Sequence, residues 1–138
     1  IEVKFNEQNA YTFEINLISF DEILKKSDFI TLHVPAQKTF LIGKKEFEKM
    51  KKGSSIINAS RGGIIDEEEL IRNLDNGKIK FAGLDTFVNE PTPSASILLH
   101  PKISLTPHIG AATFEAQERI GEELANQICD FYKIWKDG

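Results

Sequence analysis

Cysteine is almost absent from this sequence: Cys129 stands alone among 138 residues, so no disulfide can close within the chain. Stability must then come from an ordinary apolar core, and a reducing, cytoplasmic setting is the expectation. Cys129 falls inside a helical pattern and reads as a small core residue rather than a nucleophile. Histidine is nearly as scarce. Three histidines, one cysteine and no closely spaced ligand pair give no metal signature. No apolar run approaches the ~20 residues needed to cross a bilayer, and no membrane partner is expected. There is no lysine–arginine cluster either. The 17 basic residues against 21 acidic ones leave a formal charge of −4, a balance that disfavours nucleic acid or an anionic membrane as partner. The densest basic stretch, residues 44–52, is interleaved with Glu46, Phe47, Glu48 and Met50 and reads as a solvated helix face. The glycines nowhere spell G-x-G-x-x-G, so no glycine-rich phosphate loop is encoded.

What is present suits one domain with a real core, since 41% of residues are hydrophobic and 28% charged. Short apolar runs alternate with helical periodicity, the pattern of a parallel sheet with crossover helices. Strands are predicted at residues 1–5, 29–34, 54–57, 79–87 and 103–105, with a short one near Leu17 and Ile18. Ser19 stands three residues before Glu22, and Asp66 three before Glu69, so each can start a helix through a capping box. Asn76-Gly77 supplies a stop. A last helix of about five to six turns is predicted from Thr113. Its apolar face is Ala116, Ile120, Leu124, Ile128, Phe131 and Trp135. The result is a doubly wound α/β fold, in which ligands bind outside the carboxyl ends of the strands.

Four predicted strands end in chemically able residues. The segments are His33-Val34-Pro35, then Asn58-Ala59-Ser60-Arg61-Gly62-Gly63, then Asp85-Thr86 with Asn89-Glu90-Pro91, then Thr106-Pro107-His108-Ile109-Gly110. In a parallel sheet Arg61, Asp85, Glu90 and His108 converge on one edge, a set suited to acid–base chemistry on an anionic substrate. Singly, each has a plainer role: Arg61 as a solvated loop residue, Asp85 as a turn cap, Glu90 as a surface turn and His108 as a structural histidine. His33 reads as structural or as a cofactor wall, and His100 as surface. The set, rather than any member, points to function.

Residues 27–35, 57–66, 82–91 and 105–115, in this order and spacing, together resemble the D-isomer-specific 2-hydroxyacid dehydrogenases. The run from Thr106 to Thr113, continuing through Glu115-Ala116-Gln117, looks most like the phosphoglycerate dehydrogenase branch. The resemblance implies a Rossmann-like, NAD-dependent oxidoreductase moving a hydride between NAD and C2 of a D-2-hydroxy acid, with 3-phosphoglycerate and serine biosynthesis first in line. A glyoxylate/hydroxypyruvate reductase and a non-catalytic NAD-sensing regulator of the same fold are the alternatives. Arg61 would grip the substrate carboxylate and polarise its carbonyl, His108 would exchange the proton, and Glu90 would pair with His108 and favour the imidazolium. Asp85 would accept from the nicotinamide carboxamide. His33, Val34, Pro35, Ala59, Ser60, Arg61, His108, Gly110 and Ala111 would line the cofactor site, with Thr39 near the adenosine.

The strand at residues 1–5 would end near the adenosine ribose, where Asn6-Glu7 favours NAD over NADP. Glu90 disfavours the formate dehydrogenase relatives, which carry Gln there. Residues 1–112 would be the C-terminal part of an NAD-binding domain, and residues 113–138 a helix returning toward a substrate domain outside this sequence. The chain starts at Ile1, inside a strand-like run, without Met or leader. The expectation is therefore about half of a longer polypeptide, lacking the first, central strand and its glycine loop, inactive alone and a homodimer or homotetramer when complete.

Overall fold

The computed structural model describes residues 2–6, 9–12 and 15–136, with side chains described for residues 15–133. The elements in chain order are β1 (Glu2–Asn6), β2 (Asn9–Thr12), α1 (Phe20–Lys26), β3 (Phe29–Leu32), α2 (Lys44–Lys49) and β4 (Ser54–Asn58). Then come α3 (Glu67–Asp75), β5 (Ile79–Leu84), α4 (Ala95–Leu98), β6 (Ile103–Leu105) and α5 (Phe114–Lys136).

Local chemistry starts and stops the helices as expected. Ser19 Oγ accepts the Glu22 N–H at 3.3 Å while the Glu22 carboxylate accepts the Ser19 N–H at 3.3 Å, closing the box before α1. At α3 the box is half closed. Asp66 accepts the N–H groups of Glu68 and Glu69 at 3.1 and 3.2 Å, but Glu69 turns forward to Arg72. Gly77, at φ +74°, ends that helix. Leu70 and Leu74 of α3 are fully buried, and Leu24 of α1 and Phe47 of α2 share the same core with Ile30, Leu32, Ile56, Ala82 and Leu84.

Strands β3, β4, β5 and β6 lie in that order in one parallel sheet. The register aligns Leu32 with Asn58, Asn58 with Leu84, and Leu84 with Leu105. Four chain segments therefore leave the sheet side by side along one edge, at His33, Ala59, Asp85 and Thr106. Helices cover one face. On the other, Phe29, Ile57 and Phe81 are 74%, 40% and 51% exposed, although parallel sheets ordinarily have both faces covered.

Four strand expectations need correction. The run at residues 1–5 is a strand from Glu2 onward, but it pairs antiparallel with β2 in a separate two-stranded sheet; Ile1 lies outside the described residues. A neighbour so near in sequence closes a short loop cheaply, whereas a parallel partner needs a long crossover. No strand forms near Leu17, which is 99% exposed. Strands β3 and β5 stop at Leu32 and Leu84, short of Val34 and Phe87. Beyond β5 the reason is visible: the Phe87 N–H goes to the Glu90 carboxylate instead of a neighbouring strand.

Thr113 does begin α5, its Oγ1 accepting the Ala116 N–H at 3.2 Å. The helix runs for 23 residues without extended packing on any other described element. Ile120, Leu124, Ile128 and Phe131 are accordingly exposed, and so is Cys129, which is not the core residue expected. The side chain of Trp135 lies outside the described residues. No helix among them is long and apolar enough to cross a membrane.

The burial pattern separates two substitutions. Leu74→Ala should lower unfolding free energy by ~2–5 kcal/mol through a cavity in the core. Phe29→Thr, on the open face, should change it by about 0.5 kcal/mol or less. Urea denaturation followed by circular dichroism measures both.

Candidate active site

The edge formed by the four strand ends is built from its supports outward. Asn58, last in β4 and 2% exposed, uses both ends of its amide. Its Nδ2 donates to the Arg61 carbonyl at 2.9 Å, and its Oδ1 accepts the Ser60 N–H at 3.1 Å and the Ser60 hydroxyl at 2.8 Å. The turn that carries Arg61 is thereby tied to the end of the sheet. Gly62 lays this turn directly on the next one, since a Cβ there would sit 1.8 Å from the Phe87 carbonyl oxygen. Arg61 itself is exposed, with Nη1 donating to the Ser60 carbonyl at 2.6 Å.

Asp85 follows β5 and is buried. Its Oδ1 accepts the Thr106 hydroxyl at 2.6 Å and the Ile109 N–H at 2.9 Å, and its Oδ2 accepts the Gly110 N–H at 3.0 Å. Burial opposes the charge, but these hydrogen bonds and the nearby His108 outweigh it and hold the Asp85 pKa below the ordinary carboxylate value. The two consecutive N–H groups form a small anion-binding concavity of the kind backbone nests provide. His108, just before them, has φ +53°, a left-handed conformation uncommon for a residue with a side chain.

That backbone sets the His108 ring against Glu90, with Nδ1 and Oε2 2.8 Å apart. The other Glu90 oxygen accepts the Phe87 N–H at 2.8 Å. The His108 contact first, then the Phe87 N–H, depresses the Glu90 pKa. Since a carboxylate only accepts, Nδ1 carries a proton and Nε2 is the ring atom free to exchange one. A cleft of about 490 Å³ adjoins the pair, with Phe87, Pro91, Pro93, Leu98 and Leu105 among its walls.

The structure thus joins Asp85, Glu90 and His108 in one connected set. It places Arg61 on the adjoining turn, with no hydrogen bond to them. Ala59, Gly110 and Ala111 are exposed on the same edge, and their small size leaves the backbone open to approach. Ser60 is buried with its hydroxyl spent on Asn58, so its side chain supports the turn. His33 is exposed with Nε2 2.9 Å from Thr31 Oγ1, Val34 packs against the core, and Pro35 and Thr39 are exposed. His100 is not the surface residue expected. Its side chain is 8% exposed, with Nδ1 accepting the Lys102 N–H and Nε2 3.2 Å from Asp75, which fixes the entry to β6. Asn58 and Thr106 were not singled out from sequence. A polar residue ending an apolar strand was the available signal for Asn58.

Residues 2–110 match the profile of a family described as D-isomer specific 2-hydroxyacid dehydrogenase, NAD binding domain. The chain is 42% identical over 129 residues to D-3-phosphoglycerate dehydrogenase 2, chloroplastic, of Arabidopsis thaliana, covering 90% of this chain and 20% of that protein. It is 46% identical over 113 residues to 4-methyl-2-oxopentanoate reductase A of Aspergillus oryzae, covering 80% and 34%. Among solved structures, a glyoxylate reductase from Paecilomyes thermophila superposes with TM-score 0.72 at 40% identity, covering 80% of this chain and 34% of that one. The chain therefore spans between about a fifth and a third of the length of these relatives.

The lowered pKa values of Asp85 and Glu90 contribute to the acid response. Stabilisation from Asp85 and Glu90 is fully present above their ordinary values, 3.8 and 4.5, and is lost as pH falls through the lower folded values. The urea midpoint should drop with acidification across that window. Asp85→Asn should flatten the drop and, by leaving a buried N–H or hydroxyl unpaired, cost ~1–3 kcal/mol at neutral pH.

Proposed function

Because the chain belongs to the D-isomer-specific 2-hydroxyacid dehydrogenase family, we propose that the complete protein is an NAD-dependent oxidoreductase acting at C2 of a D-2-hydroxy acid, foremost 3-phosphoglycerate. The observation that carries the reading is the Glu90–His108 pair, 2.8 Å apart, on the strand edge beside Asp85 and the Arg61 turn. The residues present suit the cofactor. The small exposed residues Ala59, Gly110 and Ala111 admit a flat ring against the backbone, and His33 to Pro35 leave the neighbouring strand on the adenosine side. Bound NAD supplies the hydride acceptor for oxidation and, when reduced, the donor.

The chain's own residues do the rest. Arg61 takes the substrate carboxylate, for which a planar guanidinium offers paired donors. His108 Nε2 removes the hydroxyl proton during oxidation and returns it to the carbonyl oxygen during reduction. Glu90 holds the ring by Nδ1 and opposes the charge of the imidazolium formed. With three hydrogen bonds already accepted, Asp85 has capacity left for one from the nicotinamide carboxamide. Residues 1–112 act as part of the nucleotide-binding domain, and α5 leads from it toward the substrate domain. Self-association as a homodimer or homotetramer belongs to the same reading.

Similarity to a glyoxylate reductase at 40% identity favours a second substrate reading, glyoxylate or hydroxypyruvate reduction. Steady-state assays of the complete protein separate the two: NADH formation from 3-phosphoglycerate supports the first, and selective glyoxylate reduction the second. His108→Ala should lower kcat by ~10²–10⁴, and Arg61→Gln should raise KM for the acid. Turnover unchanged by loss of His108 would falsify the acid–base assignment.

A further inference from the structure

We propose that Glu67, the first residue of α3, is a positioning residue for the Glu90–His108 pair and acts through the backbone of Phe87 and Val88. The inference rests on the reading of His108 as the acid–base group. Glu67 Oε1 accepts the Val88 N–H at 2.8 Å, across 21 residues of sequence. The adjacent Phe87 N–H is held by Glu90, and the Phe87 carbonyl lies against Gly62. One two-residue stretch is therefore fixed at three atoms, and Glu90 departs from it toward His108. Glu67 is the anchor outside the site, mounted on a helix whose Leu70 and Leu74 are fully buried.

The plainer role for an acid at a helix start is to complement the helix dipole. Its neighbours already do so. Asp66 caps α3, and Glu68 and Glu69 both pair with Arg72. Glu67 alone of the four turns to another loop. Burial, helped by the charge of Asp66, raises its pKa against the pull of the Val88 N–H. A half-buried carboxyl kept in place at that cost marks a contact with structural use.

The test uses the complete protein and three variants: Glu67→Gln, which keeps an acceptor oxygen at full length, Glu67→Ala, and Glu67→Asp, which keeps the charge but falls a methylene short. Long-range ¹H–¹⁵N spectra of the neutral His108 ring report which nitrogen carries the proton, independently of turnover. In the parent and Glu67→Gln, His108 should be held in the Nδ1–H form. In Glu67→Asp and Glu67→Ala it should become a mixture of both forms, with kcat roughly 10–100-fold lower and KM little changed, as misplacement of an acid–base group produces. An unchanged tautomer in both shortened variants overturns the proposal. The mild Glu67→Asp change, still favourable at a helix start, decides the matter if Glu67→Ala does not fold. A shifted tautomer with unchanged turnover supports the positioning and instead sinks the acid–base reading of His108.

Discussion

The buried carboxylate of Asp85 is the tie on which the site depends. It stands at the end of β5 and takes three donors, all from the segment that follows β6. A charge moved out of water is costly unless fully hydrogen-bonded, and here the bonds prevail over burial. The turn is bent to match: Ile109 and Gly110 both direct their N–H groups at this carboxylate, directly after His108, whose backbone is left-handed at φ +53°. The strain and the charge support each other: the carboxylate stabilises the turn, and the turn satisfies the carboxylate.

From that tie the constraint passes through neighbouring turns rather than through the sheet. Glu90 receives both His108 and the Phe87 N–H, and Phe87 in turn meets Gly62. Asn58 closes the series by holding Ser60 and Arg61 to β4. Each link is a hydrogen bond or a close backbone approach between segments that the strand register already sets side by side. A rigid parallel core thus presents loops that are individually irregular but mutually fixed, a division of labour common to α/β proteins.

The sequence was legible where its signals were local. The β3 to β6 strands, the caps at Ser19 and Asp66, the Gly77 stop and the Thr113 start all follow from spacing within a few residues. Convergence of Asp85, Glu90 and His108 followed from one further assumption, that the strands are parallel. Partner choice was not legible. Alternation marks residues 2–6 as a strand yet cannot say that β2, rather than the parallel sheet, receives it. The exposure of Cys129 and the burial of His100 are illegible for the same reason, since a helical pattern does not reveal whether its face is packed, nor a lone histidine whether a distant aspartate awaits it. The Glu67–Val88 contact spans 21 residues and has no local signature at all.

Gly62 carries a consequence for how such a chain can change. Every base substitution that alters a glycine codon to another amino acid adds at least a methyl group, and here that carbon would lie 1.8 Å from the Phe87 carbonyl oxygen. No mutational step leads away from this position without parting two loops. Arg61, one residue earlier and exposed, meets no such barrier. Divergence can therefore change the side chain at Arg61 while the seam beneath it stays frozen. A lineage of such proteins could vary one residue of the turn and be forbidden to move at the next.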